Sequence, residues 1–519
     1  MNLLKSASIV SLLTLASRVT GLVREQLVAA AFGASAATDA FNVAFRLPNL
    51  FRRLFAEGAF SQAFVPVLAA TRAAEGDEVT RRLVDAVATV LTWTLIAVCA
   101  LGVVGAPILV WLMASGLERF DTAVLLTRFM FPYIGFMSLV ALSAGILNTW
   151  KRFALPAATP VLLNLSFIVA AWQGAPWFER MGLDPILALA AGVMLGGVLQ
   201  LAVQWPALRR VGCLPRIGMG PRAVHDAWRH PGVQRVLRQM APALLGVSVA
   251  QISLLINTQI ASHVGVGAVS WLTYADRLME FPTALLGVAL GTVLLPSLSQ
   301  ASGQHNEARY SALLDWGMRL VLVLAVPCTI GMALMAEPLT ALLFHYGRFR
   351  PIDVQMTQQA IQAYAVGLPA LIAIKVLAPG FFARQNIRTP VLIALLALVT
   401  TQLLNLVLVP WLAHAGLALA TSLAALLNAG LLMAGLLRAR TWRPGVGWLR
   451  LGAQVSAAAV LLTALLAVCV PRIDWIGLGT QPLLRAGYAL GLIGAGAVLY
   501  LVVLLACGLR PAHFLRRNQ

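Results

Sequence analysis

The sequence predicts an all-α integral membrane protein of 14 transmembrane helices, built as two six-helix lobes related by a parallel internal repeat around a central cavity, with two further C-terminal helices. Three observations predict this. First, 60% of the 519 residues are apolar and only 11% are charged, against roughly 25% charged in a soluble domain. So little polar surface cannot cover a soluble core. The apolar residues run continuously instead of alternating, which excludes a membrane β-barrel. Second, the basic residues gather on one set of connections. Third, the chain repeats itself at an offset of 230 residues. The composition excludes a soluble enzyme, a secreted disulfide scaffold and a disordered chain.

A spanning helix needs roughly 20 apolar residues. The first candidate, 3–32, begins like a signal peptide at Lys5, but its apolar run continues past Arg18 and Arg24 to Phe32, so it reads as a retained helix. The next five are 37–69, 83–114, 123–149, 157–174 and 185–207. They complete an N-lobe over residues 1–207. A basic linker follows at 208–235, with six Arg around the single acid Asp226, broken by Pro and Gly. It reads equally as a strap on the anionic inner leaflet or as a solvated connection. Spans 236–263, 268–299, 310–336, 355–383, 389–410 and 415–437 form a C-lobe within 236–440. Spans 450–470 and 482–508 lie in the remaining segment, 441–519. Several spans exceed 25 residues, which tilt accommodates.

An even number of spans puts both termini on one side. One set of connections holds 23 Lys and Arg, and the other holds only Arg119, Arg180, Arg348, Arg350 and Arg472. The positive-inside rule therefore makes both termini cytoplasmic. The net charge of +19 is absorbed by this asymmetry, and no nucleic-acid module is visible.

The repeat carries Thr159-Pro160-Val161-Leu162 into Thr389-Pro390-Val391-Leu392, and Leu187-Ala188-Leu189-Ala190 into Leu417-Ala418-Leu419-Ala420. Pro66, Leu68 and Asp85 match Pro296, Leu298 and Asp315. Six spans per unit is an even number, so the halves share one orientation, and transporters of this kind bind substrate between their lobes.

Ionisable residues at bilayer depth are costly and mark function by default. Span 1 places Thr14, Ser17, Arg18, Gly21, Arg24 and Glu25 in a sector about 120° wide. In span 2, Asp39, Asn42, Arg46, Asn49, Arg53 and Glu57 share a sector about 80° wide, with Arg52 beside it and Pro48 able to kink the helix. Span 8 carries Asp276, Arg277 and Glu280, with Thr273, Thr283, Gly287 and Gly291 on the same side, and span 10 carries Lys375 before Pro379-Gly380. Guanidinium is a planar fork suited to phosphate, and a diphosphate fits two or three such forks. The competing reading is salt bridging that only fixes helix packing.

No catalytic motif is present, neither HExxH nor a Walker A loop nor a zinc spacing. Ser248, in Gly246-Val-Ser248-Val-Ala250, reads as helix packing. The five cysteines are scattered without CxxC spacing, so no disulfide, metal site or cofactor is expected.

Long motifs carry a family resemblance. They are Thr38-Asp39-Ala40-Phe41, Leu47-Pro48-Asn49-Leu50, Arg52-Arg53, Phe55 through Pro66, Ile146-Leu147-Asn148-Thr149-Trp150, Ala275-Asp276-Arg277-Leu278-Met279-Glu280-Phe281-Pro282, and Lys375-Val376-Leu377-Ala378-Pro379-Gly380-Phe381. Over essentially its whole length the chain resembles the MurJ (MviN) lipid II flippases of the MOP exporter superfamily. The resemblance implies a bacterial cytoplasmic-membrane transporter, not an enzyme. Its substrate would be undecaprenyl-diphosphate-linked peptidoglycan precursor, moved outward by alternating access. By position it carries over Arg18, Arg24, Asp39, Arg52 and Arg277 as cavity charges, with Glu57, Glu280 and Lys375 also in family motifs. Expected partners are lipid II and membrane lipids, with other cell-wall synthesis proteins as further candidates. Some members hold sodium through acids on helices 7 and 11. Spans 7 and 11 here have no Asp or Glu, only groups such as Asn257 and Asn405, so no metal is assigned. Rival readings are a drug or oligosaccharide-lipid exporter of the same superfamily, and a membrane glycosyltransferase, for which the outer loops Gly33–Ala36 and Gly265–Gly267 are too short.

Overall fold

The computed structural model describes residues 3–51 and 60–509, nearly all of them helical, with no strand among them. They divide into two compact units, Met1–Val269 and Ser270–Gln519.

The first unit contains α1 (Leu3–Phe32), α2 (Ala36–Phe51), α3 (Phe60–Val104), α4 (Ala106–Ala114), α5 (Phe120–Met130), α6 (Tyr133–Thr149), α7 (Ala154–Val169), α8 (Ala175–Arg180), α9 (Leu187–Val211), α10 (Pro221–Arg229) and α11 (Pro231–Val264). A π-helical turn at Ala170–Gly174 joins α7 to α8. α1 stops at Gly33, whose φ of 63° suits glycine. The Thr38 hydroxyl donates to the Gly33 carbonyl at 2.9 Å and ties the turn into α2. α3 joins the end of the second expected span to the start of the third, broken only at Gly76 (φ 82°, ψ −177°). An L side chain there would cost roughly 1–2 kcal/mol. α1 lies along α7, and α7 and α6 both pack on α9. Gly192 and Gly196 of α9 permit that approach, since a Cβ at either would stand 2.7 Å from Ala170 or Leu163 of the α7 segment.

The second unit contains α12 (Ala268–Pro282), α13 (Ala289–Gly303), α14 (Glu307–Leu334), α15 (Ala336–Phe344), α16 (Pro351–Ala365), α17 (Leu368–Phe382), α18 (Arg388–Arg438), α19 (Trp448–Cys469) and α20 (Pro482–Ala506). A π-helical segment, Thr283–Val288, links α12 to α13. α14 packs on α17 and α19, α17 and α16 on α18, and α19 on α20. α18 holds two expected spans, separated by a break at Ala413 (φ 49°, ψ −129°).

Apart from residues 52–59, which lie outside the described residues, helix runs along each of the 14 expected spans. Among the described residues eight helical stretches are long and apolar enough to cross a membrane, α18 covering two of the expected spans by itself, and α16 with α17 passes the same test as a pair bent by 42°. The repeat divides the chain around the 208–235 linker. The compact units instead divide after Val269, because α11 packs on α3 and α4.

The repeat-related aspartates do matching work. Asp85 of α3 accepts the Arg216 backbone N–H at 2.7 Å, pinning the linker that follows α9. Asp315 of α14 accepts the Gly445 N–H at 3.1 Å, pinning the linker that follows α18, and also the indoles of Trp448 at 2.8 Å and Trp442 at 3.4 Å. Arg319 completes the cluster, its Nε 2.7 Å from the Asp315 carboxylate. Removing a partly buried acceptor from several donors at once is expensive. Asp315→Ala is therefore expected to lower stability by about 2–3 kcal/mol, read as a drop in detergent melting temperature, whereas substitution of exposed Asp226 leaves it unchanged.

Candidate functional site

In the first unit the site begins on α1. The Thr20 hydroxyl is turned back onto its own helix, donating to the Ala16 carbonyl at 2.8 Å. One turn later Arg24 is half-buried. Its Nη1 donates to Asn164 Oδ1 of α7 at 3.1 Å, and its Nη2 pairs with Glu25. The guanidinium carbon lies 5.1 Å from the centroid of the Phe167 ring, within cation–π range. Arg18 stands exposed on the same helix.

α2 contributes Asp39, buried, whose carboxylate accepts the Gly267 N–H at 2.6 Å. Arg46 donates to the Thr258 hydroxyl of α11. Arg52, Arg53 and Glu57 lie outside the described residues. Near the Gly267 loop, α4 and α11 are joined by further bonds. The Ser115 N–H donates to Gln259 Oε1 at 2.8 Å, Gln259 Nε2 donates to Ser115 Oγ at 2.7 Å, and the Gly116 N–H donates to Ser262 Oγ at 3.2 Å. Asp39 thus sits in a seam that ties α2 and α4 to the end of α11.

In the second unit Arg277 and Glu280 face each other one turn apart on α12, 3.2 Å between Nη1 and Oε2. Both are partly exposed, so their Coulomb attraction is weak and replaceable by a stronger anion. Lys375 of α17 is exposed at its end, while its stem lies on Gly287 of the π-helical segment. A Cβ on Gly287 would come 3.0 Å from Lys375 Cγ, so glycine makes room for the lysine. Beside this segment is an apolar cavity of about 420 Å³ lined by Pro282, Leu286, Pro327, Cys328, Leu466 and Tyr500, among others. Among the described residues no group of His, Cys, Asp or Glu has the arrangement to hold a metal.

Sequence reasoning missed several residues. Asn164 was not singled out, and the repeat gave no signal for it, because Ala394 occupies the equivalent place. Thr258, Gln259 and Ser262 were invisible, since a polar residue on an apolar helix does not name its partner. Arg485 of α20 is fully buried, with its guanidinium 4.7 Å from the Tyr346 ring and 3.4 Å from His345 Nδ1. Burial first, and then the Arg485 charge, push the His345 pKa below its ordinary value.

With this geometry in place, comparison with known proteins is decisive. Residues 28–475 match the family model described as lipid II flippase MurJ. The chain is 52% identical to "Lipid II flippase MurJ" of Burkholderia cenocepacia over the full length of both proteins. This chain belongs to the MurJ family. It is also 40% identical to the probable lipid II flippase MurJ of Vibrio cholerae, over 98% of this chain and 97% of that one. A solved MurJ structure in an inward closed conformation superposes with a TM-score of 0.75 at 23% identity, covering 95% of this chain and 97% of its own. An inward-facing MATE-family multidrug transporter of the MOP superfamily superposes with a TM-score of 0.64 at 16% identity, covering 82% and 94%. The chain is therefore a multi-pass membrane protein with the MOP superfamily fold.

Proposed function

We propose that this MurJ family member moves lipid II, undecaprenyl diphosphate bearing the peptidoglycan glycopeptide, from the inner to the outer leaflet of the bacterial cytoplasmic membrane. Both termini are cytoplasmic in this reading. The repeat halves, 1–207 and 236–440, rock about the substrate, while 441–519 lies at the periphery. The observation that carries the proposal is the half-buried Arg24 guanidinium on a membrane-depth helix. One edge rests on a neutral amide and the other on a carboxylate that an incoming phosphate can replace.

The remaining roles follow from charge and position. Arg18, Arg52 and Arg277 supply further forks for the diphosphate, and Lys375 a point charge. Glu25, Glu57 and Glu280 neutralise the basic groups when no substrate is bound, which spares the membrane interior an uncompensated charge. Asp39 holds the outer seam through Gly267, so its work is conformational. The apolar cavity beside Pro282 and Tyr500 accommodates a stretch of the polyprenyl tail by packing, since a tail leaving bilayer hydrocarbon gains no hydrophobic free energy. An inside-negative potential adds about 2.3 kcal/mol per elementary charge per 100 mV to outward movement of an anion.

Depletion of the protein in its own bacterium tests this. Lipid II is expected to accumulate beyond the reach of a membrane-impermeant lipid II hydrolase added outside the cytoplasmic membrane. Unchanged access of that hydrolase would refute the proposal.

A further inference from the structure

Asn164 is buried between α1 and α7 and uses both ends of its amide. Its Nδ2 donates to the Ser17 carbonyl at 3.0 Å and to the Thr20 hydroxyl at 3.1 Å, while its Oδ1 accepts from Arg24 Nη1 at 3.1 Å. The orientation follows from chemistry: a carbonyl only accepts and a guanidinium only donates, so the amide has one way to sit. Gly21 lies beside the amide, and a Cβ there would make an ordinary van der Waals contact 3.5 Å from Asn164 Nδ2. One turn further along α7, Phe167 lies under the same guanidinium. α7 thus grips α1 by its backbone and Arg24 by its head group with a single side chain.

We propose that Asn164 is a positioning residue for diphosphate recognition: anchored on the α1 backbone, its amide fixes the Arg24 guanidinium so that the remaining N–H groups meet the headgroup. This rests on the reading of Arg24 as a substrate ligand. Neither neighbouring chemistry substitutes for the amide. Alanine removes the anchor and frees a long, rotamer-rich side chain. Aspartate neutralises Arg24 with a charge of its own and has no proton to give the Ser17 carbonyl.

The test uses the full chain in nanodiscs, with binding of undecaprenyl diphosphate and of undecaprenol measured in parallel. Asn164→Ala is expected to weaken undecaprenyl diphosphate binding about tenfold, the low end for a hydrogen bond to a charged group. Asn164→Asp is expected to weaken it further. Undecaprenol shares the tail and lacks the phosphates, so its affinity is expected to stay the same in both variants. In an Arg24→Ala background the Asn164→Ala change is expected to have no further effect. Equal losses with and without Arg24, or a parallel loss of undecaprenol binding, would make Asn164 a helix-packing residue and overturn the proposal. If Arg24→Ala by itself leaves undecaprenyl diphosphate affinity intact, the assignment of Arg24 fails first and this inference with it.

Discussion

Arg24→Ala is expected to abolish lipid II translocation while the chain remains folded and inserted. The expected loss is at least about a hundredfold, because two charge-assisted bonds to phosphate, at roughly 1.5–3 kcal/mol each, disappear together. Folding is expected to survive because the substitution shortens one half-buried side chain and leaves the α1–α7 contact held by Asn164 on the Ser17 carbonyl. Arg24→Lys separates charge from shape. It keeps a cation but loses the planar fork, so transport should fall between wild type and alanine. The measurement is transport by purified variants with matched melting temperatures. Full activity of Arg24→Ala would remove this residue from the substrate site.

The second large effect is expected at Gly116, which the sequence did not mark. A Cβ there would lie 2.7 Å from His263 Cγ and 2.7 Å from the Ser262 carbonyl oxygen. The carbonyl belongs to helix backbone and cannot swing aside, so Gly116→Leu wedges α4 away from α11. That breaks the seam made by Ser115, Gln259 and Ser262. If alternating access requires this end to close, transport should fall by more than about tenfold, the result of losing even 1.4 kcal/mol from the closed state. Ala261 of α11 is buried in the closed seam. In a background without the five native cysteines, Ala261→Cys should react faster with a membrane-impermeant thiol reagent when Gly116→Leu is present. Normal transport with unchanged labelling would mean that this seam is not a moving part.

The architecture was readable because the bilayer imposes a simple demand: long apolar runs, charges sorted by side, and glycine or proline where the path turns. Even the faint Asp85–Asp315 match proved informative, since both residues hold the connection that follows the last span of their repeat unit. What resisted reading has physical causes. The joining of two spans through Gly76 depends on one left-handed residue inside polar sequence. The break at Ala413 has no glycine to announce it. The packing of α11 on α3 and α4 is a long-range contact, which a repeat between the halves does not encode. At the site, the charged residues stood out because charge is rare at bilayer depth. Their neutral partners did not. Asn164 and Thr258 are ordinary residues until a structure places Arg24 and Arg46 against them. The Asp39 carboxylate accepts the Gly267 backbone N–H, a contact that no side-chain pattern encodes.

The most direct measurement reconstitutes the purified chain into liposomes carrying fluorescent lipid II in both leaflets. A membrane-impermeant quencher then follows its passage, with and without an imposed inside-negative potential. The account predicts that wild-type protein makes the inner pool accessible, that undecaprenyl diphosphate competes, and that Arg24→Ala and Arg277→Ala proteoliposomes match protein-free vesicles. Equal quenching in wild-type and empty vesicles, or full activity of both arginine variants, would contradict it.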